Sequence, residues 1–354
     1  MYDRVITNIG KRAAIIIAVM VCAYEALVMF LTYATLDNYA NDFVVYWDTA
    51  HKPLSEVYEH RPRYPFPYMP TMLLWIKPLS LVDALPAYVF WIAVSALTFT
   101  WATRKYLTMG QNLLALISRP VLFCLATGQV SVFLAGIMLW AFGTSRKAWA
   151  GVALGLIASI KPQLVLLAPL LLLLRRDFRM TVAAGASFTA TVLAALLAFG
   201  DQPWVDWLES LDNFRAVMNA GEGLRDVPGL AGQAERAGYP PLPFMLFGLA
   251  FGSWLVYRCR NLGALEVTAA VATASIFAAP YSMTYDLVAV VPFLAVMAFR
   301  NRITAAVALT ALFHPLAIFL SSFELLRKAK EEVRDKMAAV GLGDRPAYGR
   351  EGAA

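Results

Sequence analysis

The sequence predicts an all-α polytopic membrane protein, and three observations predict it. The 354-residue chain is 60% hydrophobic and only 15% charged, against about 25% charge in an ordinary soluble domain. Apolar runs recur along nearly its whole length, divided by short polar stretches. The cations are clustered. Of 30 Lys and Arg residues, 14 lie in Arg4/Lys11/Arg12, Arg104/Lys105, Arg146/Lys147, Arg175/Arg176/Arg179, Arg258/Arg260 and Arg300/Arg302, with only Asp3 and Asp177 among them. Such clusters mark cytoplasmic loops rather than a nucleic-acid face, so the net charge of +6 implies no nucleic-acid partner. Cys22, Cys124 and Cys259 have no paired spacing, which gives neither a disulfide framework nor a metal motif.

The first span, Ala13–Thr35, follows Lys11 and Arg12 and is too long for a cleaved leader, so it reads as an anchor. The positive-inside rule puts the following loop outside, where its acidic balance also fits. Thr71–Val82 is short and bracketed by Pro70, Pro78 and Pro86, which predicts a helix lying at the interface. Pro86–Thr103 crosses inward. Asn112–Ala126 and Gln129–Gly143 form a hairpin turning at Gly128; Ala148–Ile160 and Pro162–Leu174 form another turning at Lys161-Pro162. A helix of about 13 residues reaches about 20 Å, short of a hydrocarbon core of about 30 Å. Gln129 and Lys161 are therefore expected at the bottom of a depression. Thr181–Phe199 crosses outward, and the loop 200–242 carries an amphipathic stretch around Trp204, Trp207 and Phe214. Pro243–Tyr257, Ala264–Ala279, Tyr285–Phe299 and Ile303–Ser321 complete about eleven crossings. Strict counting places the tail outside. The domain reading is a transmembrane unit over 1–323, with large outer loops at 37–85 and 200–242, and a charged tail over 324–354.

The polar residues set in apolar context converge on one face, opposite the basic clusters. The stretch from Asn41 to Met69 is dense in aromatic and polar groups, which suits a substrate that is half lipid and half polar. Asp42 leads it, and acids at membrane depth tend to be functional. Against that stands a plain reading as a helix cap. Asp48 reads first as a solvated loop acid, His60, Arg63 and Arg215 as ordinary loop groups. Lys161 between two apolar helices needs a partner or water. Gln129 holds a substrate hydroxyl or caps the helix after Gly128, and Asp286 is favourable at a helix N-terminus whatever its chemistry.

Several short motifs occur in a fixed order: Asn41-Asp42-Phe43 with Tyr46, Tyr64-Pro65 with Pro67, Gly128-Gln129, Lys161-Pro162-Gln163, and Ala279-Pro280-Tyr281-Ser282 followed by Tyr285-Asp286. In this order the chain resembles glycosyltransferase family 87, the polyprenyl-phosphate-mannose-dependent α-1,2-mannosyltransferases of the C-type membrane glycosyltransferase fold. It departs from the family's pattern at Ser131, where Asn is frequent, and at Phe66, which splits the prolines. The resemblance implies sugar transfer, with mannose the default, from a polyprenyl-phosphate donor to a hydroxyl of a glycolipid or glycan acceptor. It implies a bacterial inner membrane with the site facing the periplasm. It also implies Asp42 as general base, with Lys161, Gln129, Tyr285, Asp286, Asp48, His60, Arg63, Tyr64 and Arg215 as substrate-binding candidates. No cofactor is expected, because the sugar donor is a substrate. No metal is expected either, since the outer loops hold no DxD-like pair and no His/Cys cluster. A lipid-linked-sugar transporter and a non-catalytic envelope assembly protein are the competing classes. A transporter calls for repeated halves, and no clear internal repeat is present.

Overall fold

The computed structural model describes residues 41–59, 65–220, 229–300, 302–310 and 316–339, with isolated helical positions between Ile16 and Val28. Among the described residues the chain is helical and has no strand. The helices used below are α1 (Asn41–His51), α2 (Ala84–Thr103), α3 (Met109–Leu116), α4 (Arg119–Thr127), α5 (Ser131–Gly143), α6 (Lys147–Ile160) and α7 (Ala168–Leu174). They continue as α8 (Phe178–Phe199), α9 (Gln202–Ala220), α10 (Leu230–Arg236), α11 (Pro241–Cys259), α12 (Ala264–Ala278), α13 (Val291–Phe299), α14 (Ile303–Thr310) and α15 (Leu316–Ala339).

Two kinds of apolar helix divide the work. α2, α8 and α11 are long and apolar enough to cross a membrane, yet at most 28% of each apolar window is buried inside the protein. Helices apolar on all sides and still outward-facing are suited to lipid. α12 is apolar on all sides too, but every residue from Val267 to Ala278 is buried, and so is every residue from Asp286 to Ala298. These segments form the interior. By length and composition three described helices qualify as spans, or four if α3 and α4 count as one, bent by 57°. The eleven crossings expected above also counted apolar runs such as α5, α6 and α12, which are shorter than that.

Glycines set the closest helix contacts. A Cβ on Gly151 or Gly155 of α6 would lie 2.3 Å from a carbonyl oxygen of α8, and one on Gly248 of α11 would lie 1.9 Å from the Phe277 carbonyl of α12. Gly151/Gly155 and Gly248/Gly252 are small-xxx-small spacings, which let backbones approach within a membrane. Gly248→Ala is expected to destabilise the fold by about 1–3 kcal/mol through overpacking. Gly185→Ala on the open face of α8, where a Cβ meets nothing within 4 Å, is expected to be neutral or slightly stabilising. Thermal unfolding of the two variants in the same detergent checks the contrast.

The basic clusters from Arg146 onward meet at one end of the bundle. Lys147 pairs with Asp177 at 3.3 Å. Arg175 donates to the carbonyls of Arg260 and Leu262, and Arg302 pairs with Glu331 at 2.5 Å. That last contact corrects the expected side of the tail. α15 returns to the basic end, where Cys259 also meets the Leu325 carbonyl and Glu324 is buried against Thr304. The final apolar stretch therefore does not carry the tail to the far end. α15 is also continuous through 323/324.

The segment 70–81 differs from its expected form. It is not one helix lying flat at an interface. It consists of a 3₁₀ turn at Pro70–Met72, one α-helical turn at Leu73–Ile76 and a 3₁₀ stretch at Lys77–Leu81. Thr71, Met72, Leu73 and Ile76 are all fully buried. Pro70 and Pro78 prevent a continuous helix. Thr71 donates its hydroxyl to the Ser159 carbonyl at the end of α6, so the segment plugs the bundle beside Lys161.

Candidate active site

Three local breaks in helical structure place the polar side chains. α4 stops at Gly128, which is left-handed with φ 74°. A Cβ there would lie 2.5 Å from the Phe43 Cβ, so both backbone strain and α1 exclude other residues. The turn is tied down from α2: Tyr88 donates to the Leu125 and Ala126 carbonyls, and the Trp91 indole donates to the Gly128 carbonyl at 2.8 Å. Gln129 follows directly. The second break is Lys161-Pro162. The proline drives Lys161 out of the α region, to φ −137° and ψ 77°, and turns its side chain away from the α6 register. In the third, Ala279 to Met283 is irregular and leads into a 3₁₀ turn, Thr284–Val290. Asp286 accepts the Met283 amide there at 3.1 Å.

Those breaks bring residues 125 positions apart into contact. The Lys161 ammonium donates to Asp286 Oδ1 at 3.0 Å and to Ser131 Oγ at 2.8 Å, and Ser131 Oγ donates to Asp286 Oδ1 at 3.2 Å. Lys161 is 2% exposed and Asp286 1%. The ammonium also lies 4.4 Å from the Tyr285 ring centroid and 5.9 Å from that of Tyr68, so aromatic faces share its desolvated charge. Next to it, Gln129 Oε1 accepts from Tyr46 Oη at 2.7 Å, Tyr68 Oη at 2.9 Å and the Val130 amide at 3.0 Å.

Asp42 stands in the first turn of α1, where a carboxylate is favoured by the helix dipole. Tyr46 lies one turn on, on the same face. Asp42 keeps a partly exposed edge, yet the residues around it are dense enough that burial pushes its carboxyl up to about 6. The Thr127 side chain and the Lys161 charge oppose that shift, and the nearby Asp286 carboxylate adds to it. Burial likewise holds the Tyr46 and Tyr68 phenols above the ordinary tyrosine value.

Of the residues singled out from sequence, the structure gathers Asp42, Gln129, Lys161, Tyr285 and Asp286. Asp48 is exposed on α1, about 240° round the helix from Asp42 at 3.6 residues per turn. Arg215 is 57% exposed and paired with Glu235 at 2.8 Å. His60, Arg63 and Tyr64 lie outside the described residues. Sequence reasoning gave no polar role to Ser131, Thr127 or Tyr68. Ser131 is two residues beyond Gln129, and that spacing is the one signal that pointed to it. α9 packs beside the cluster: the Trp207 indole donates to the Pro67 carbonyl at 3.2 Å, and Phe214 meets Tyr281 edge to face with ring centroids 5.1 Å apart. Among the described residues, no group of three His, Cys, Asp or Glu side chains is placed to hold a metal ion.

A buried cation, a poised carboxylate and a clamped amide, held at helix breaks beside an amphipathic helix, can bind an anionic group and accept a proton beside it. Comparison with known proteins gives one match. The family model for glycosyltransferase family 87 covers residues 66–283, which include Gln129, Ser131 and Lys161, with Asp42 and Asp286 flanking the matched stretch. No curated protein and no solved structure matches the chain significantly. The matched stretch is more than half of the chain, and the chain belongs to glycosyltransferase family 87.

Proposed function

We propose that this glycosyltransferase moves a sugar, mannose by the family's default, from a polyprenyl-phosphate donor to a hydroxyl of a glycolipid or glycan acceptor, with inversion and with Asp42 as general base. The observation that carries the reading is the convergence of Asp42, Gln129, Lys161 and Asp286, from four separate segments, within a helical bundle that includes helices long and apolar enough to cross a membrane.

The steps follow from the groups. An acceptor hydroxyl is a poor nucleophile, so a carboxylate takes its proton as the new glycosidic bond forms. The bond from the anomeric carbon to the phosphate oxygen breaks, and the lipid phosphate leaves with the electron pair. Phosphate leaves without protonation, so one carboxylate suffices where a hydrolase needs two. The charge gathering on phosphate calls for fixed donors. Lys161 supplies a desolvated ammonium, held charged by Asp286 and shared with Ser131. The basic clusters mark the cytoplasmic end, which supports a periplasmic or outer-face site in a bacterial inner membrane.

The test is transfer in proteoliposomes supplied with the labelled sugar either on polyprenyl phosphate or on a nucleotide. The reading expects label in an extracted acceptor from the lipid-linked donor only; transfer from the nucleotide donor alone would contradict it. The pH profile adds a signed prediction. A base with its carboxyl pushed up to about 6 is ionised above that pH and protonated below it. The rate at saturating donor is therefore expected to be flat above about pH 7 and to fall about tenfold per unit below about pH 6. A flat profile down to pH 5 would remove Asp42 from that role.

A further inference from the structure

Gln129 raises a question of direction. A carboxamide offers an oxygen that accepts and a nitrogen that donates, and the neighbours decide which atom is which. Here the decision is forced. The Val130 backbone N–H can only donate, and it meets the same atom that Tyr46 and Tyr68 approach. That atom is the oxygen. The two phenols also lie 2.7 Å from each other, so their two protons are shared among three short oxygen contacts with the carboxamide. Tyr46 is 1% exposed, Tyr68 8% and Gln129 2%. The other arm, the amide nitrogen, meets no acceptor among the described residues. Although the residue is largely buried, this nitrogen keeps an accessible edge, so it is the arm left open to a ligand. The nitrogen sits in the same cluster as Lys161, whose ammonium is 5.9 Å from the Tyr68 ring.

We infer that Tyr46 and Tyr68 are positioning residues that lock the Gln129 carboxamide with its oxygen turned inward, so that its N–H₂ group donates to an acceptor oxygen of the lipid-linked donor, on the phosphate or on the sugar. This inference rests on the proposed function and assigns the atom and the direction of the hydrogen bond. It makes Gln129 a donor to the substrate rather than an acceptor from a sugar hydroxyl. Tyr68 then serves twice: its hydroxyl holds Gln129, and its ring packs beside the ammonium that faces the same ligand.

The experiment is a binding cycle on the full-length protein in detergent, read without turnover. The probes are polyprenyl phosphate and polyprenyl-phosphate mannose. Gln129→Glu keeps the shape and an oxygen for all three hydrogen bonds, and replaces the N–H₂ group by a second oxygen that is anionic when ionised. It is expected to weaken binding at least tenfold, and the uncharged Gln129→Met separates loss of the donor from charge repulsion. Gln129→Met, which keeps the volume, is expected to weaken binding about tenfold. The pair Tyr46→Phe/Tyr68→Phe is expected to weaken it about three- to tenfold, and to add nothing in the Gln129→Met background, because the tyrosines act through the amide. Weakening of both probes assigns the phosphate oxygen; weakening of the mannose-bearing probe alone assigns a sugar oxygen. Wild-type affinity in Gln129→Glu, or an undiminished tyrosine effect in the Gln129→Met background, overturns the inference while leaving the proposed function standing. If the wild type binds neither lipid, both fall.

Discussion

Replacing Asp42 by Asn is expected to lower sugar transfer by about 10²- to 10⁴-fold, the share that a positioned general base contributes, while leaving the protein at least as stable as the wild type. The two effects have opposite signs for one reason. Burial holds the Asp42 carboxyl up at about 6, against 3.8 for the free group. The folded state then binds the proton more tightly than the unfolded state, so ionisation works against folding. Stability falls as pH rises through the window from about 4 to about 6, and above it the whole penalty is present. Asparagine cannot ionise and removes the penalty. At about 1.4 kcal/mol per pKa unit the gain is bounded at about 3 kcal/mol, and solvent at the exposed edge of Asp42 lowers it. Thermal unfolding at pH 7.5 and pH 5 separates the cases: the variant gains over the wild type at the higher pH and keeps only about half of that advantage at the lower. A residue that merely capped α1 would show the reverse, because losing a cap costs about 1 kcal/mol at neutral pH.

Lys161→Met is expected to cost both activity and about 3–5 kcal/mol of stability, because it leaves the Asp286 carboxylate buried and unpaired. The stability loss alone would not distinguish a substrate ligand from a structural ion pair. The double variant Lys161→Met/Asp286→Asn does. With both charges gone, the buried site holds no unpaired ion, and most of the stability is expected to return. Transfer is not expected to return, because the ammonium proposed to stabilise the departing phosphate is missing. Recovery of transfer together with stability would make the pair purely structural. Lys161→Arg is expected to behave like a loss of function. The planar guanidinium cannot fill the compact position between Ser131, Asp286 and the Tyr285 ring.

The chain stops that build the cluster were legible because they obey local rules. Gly128 ends a helix where a left-handed residue is needed, and Pro162 fixes the residue before it, whatever the rest of the fold does. The apolar runs likewise predicted helices close to α2, α8 and α11. What was not legible depends on pairing at a distance. Nothing local joins Lys161 to Asp286 or to Ser131, and nothing local shows that Tyr46 and Tyr68 meet on Gln129. The segment 70–81 misled because its apolar pattern is the same for a surface helix and for a broken plug; its burial and its contact with Ser159 separate them. The tail misled through counting: strict alternation took the last apolar stretch as one crossing, whereas α14 and α15 turn it back to the basic end. Asp48 and Arg215 show the limit of composition. Both fall in polar, loop-rich stretches, but one lies on the outer side of α1 and the other is spent on Glu235.

The most direct test of the account is the initial rate of transfer from labelled polyprenyl-phosphate mannose to a lipid-extract acceptor in proteoliposomes. Wild type, Asp42→Asn and Asp48→Asn are compared at matched protein level and well below the unfolding temperature of each. The account predicts transfer by the wild type, nearly unchanged transfer by Asp48→Asn and a loss of at least 100-fold in Asp42→Asn, consistent with a general base. Transfer by Asp42→Asn within about threefold of the wild type would contradict it.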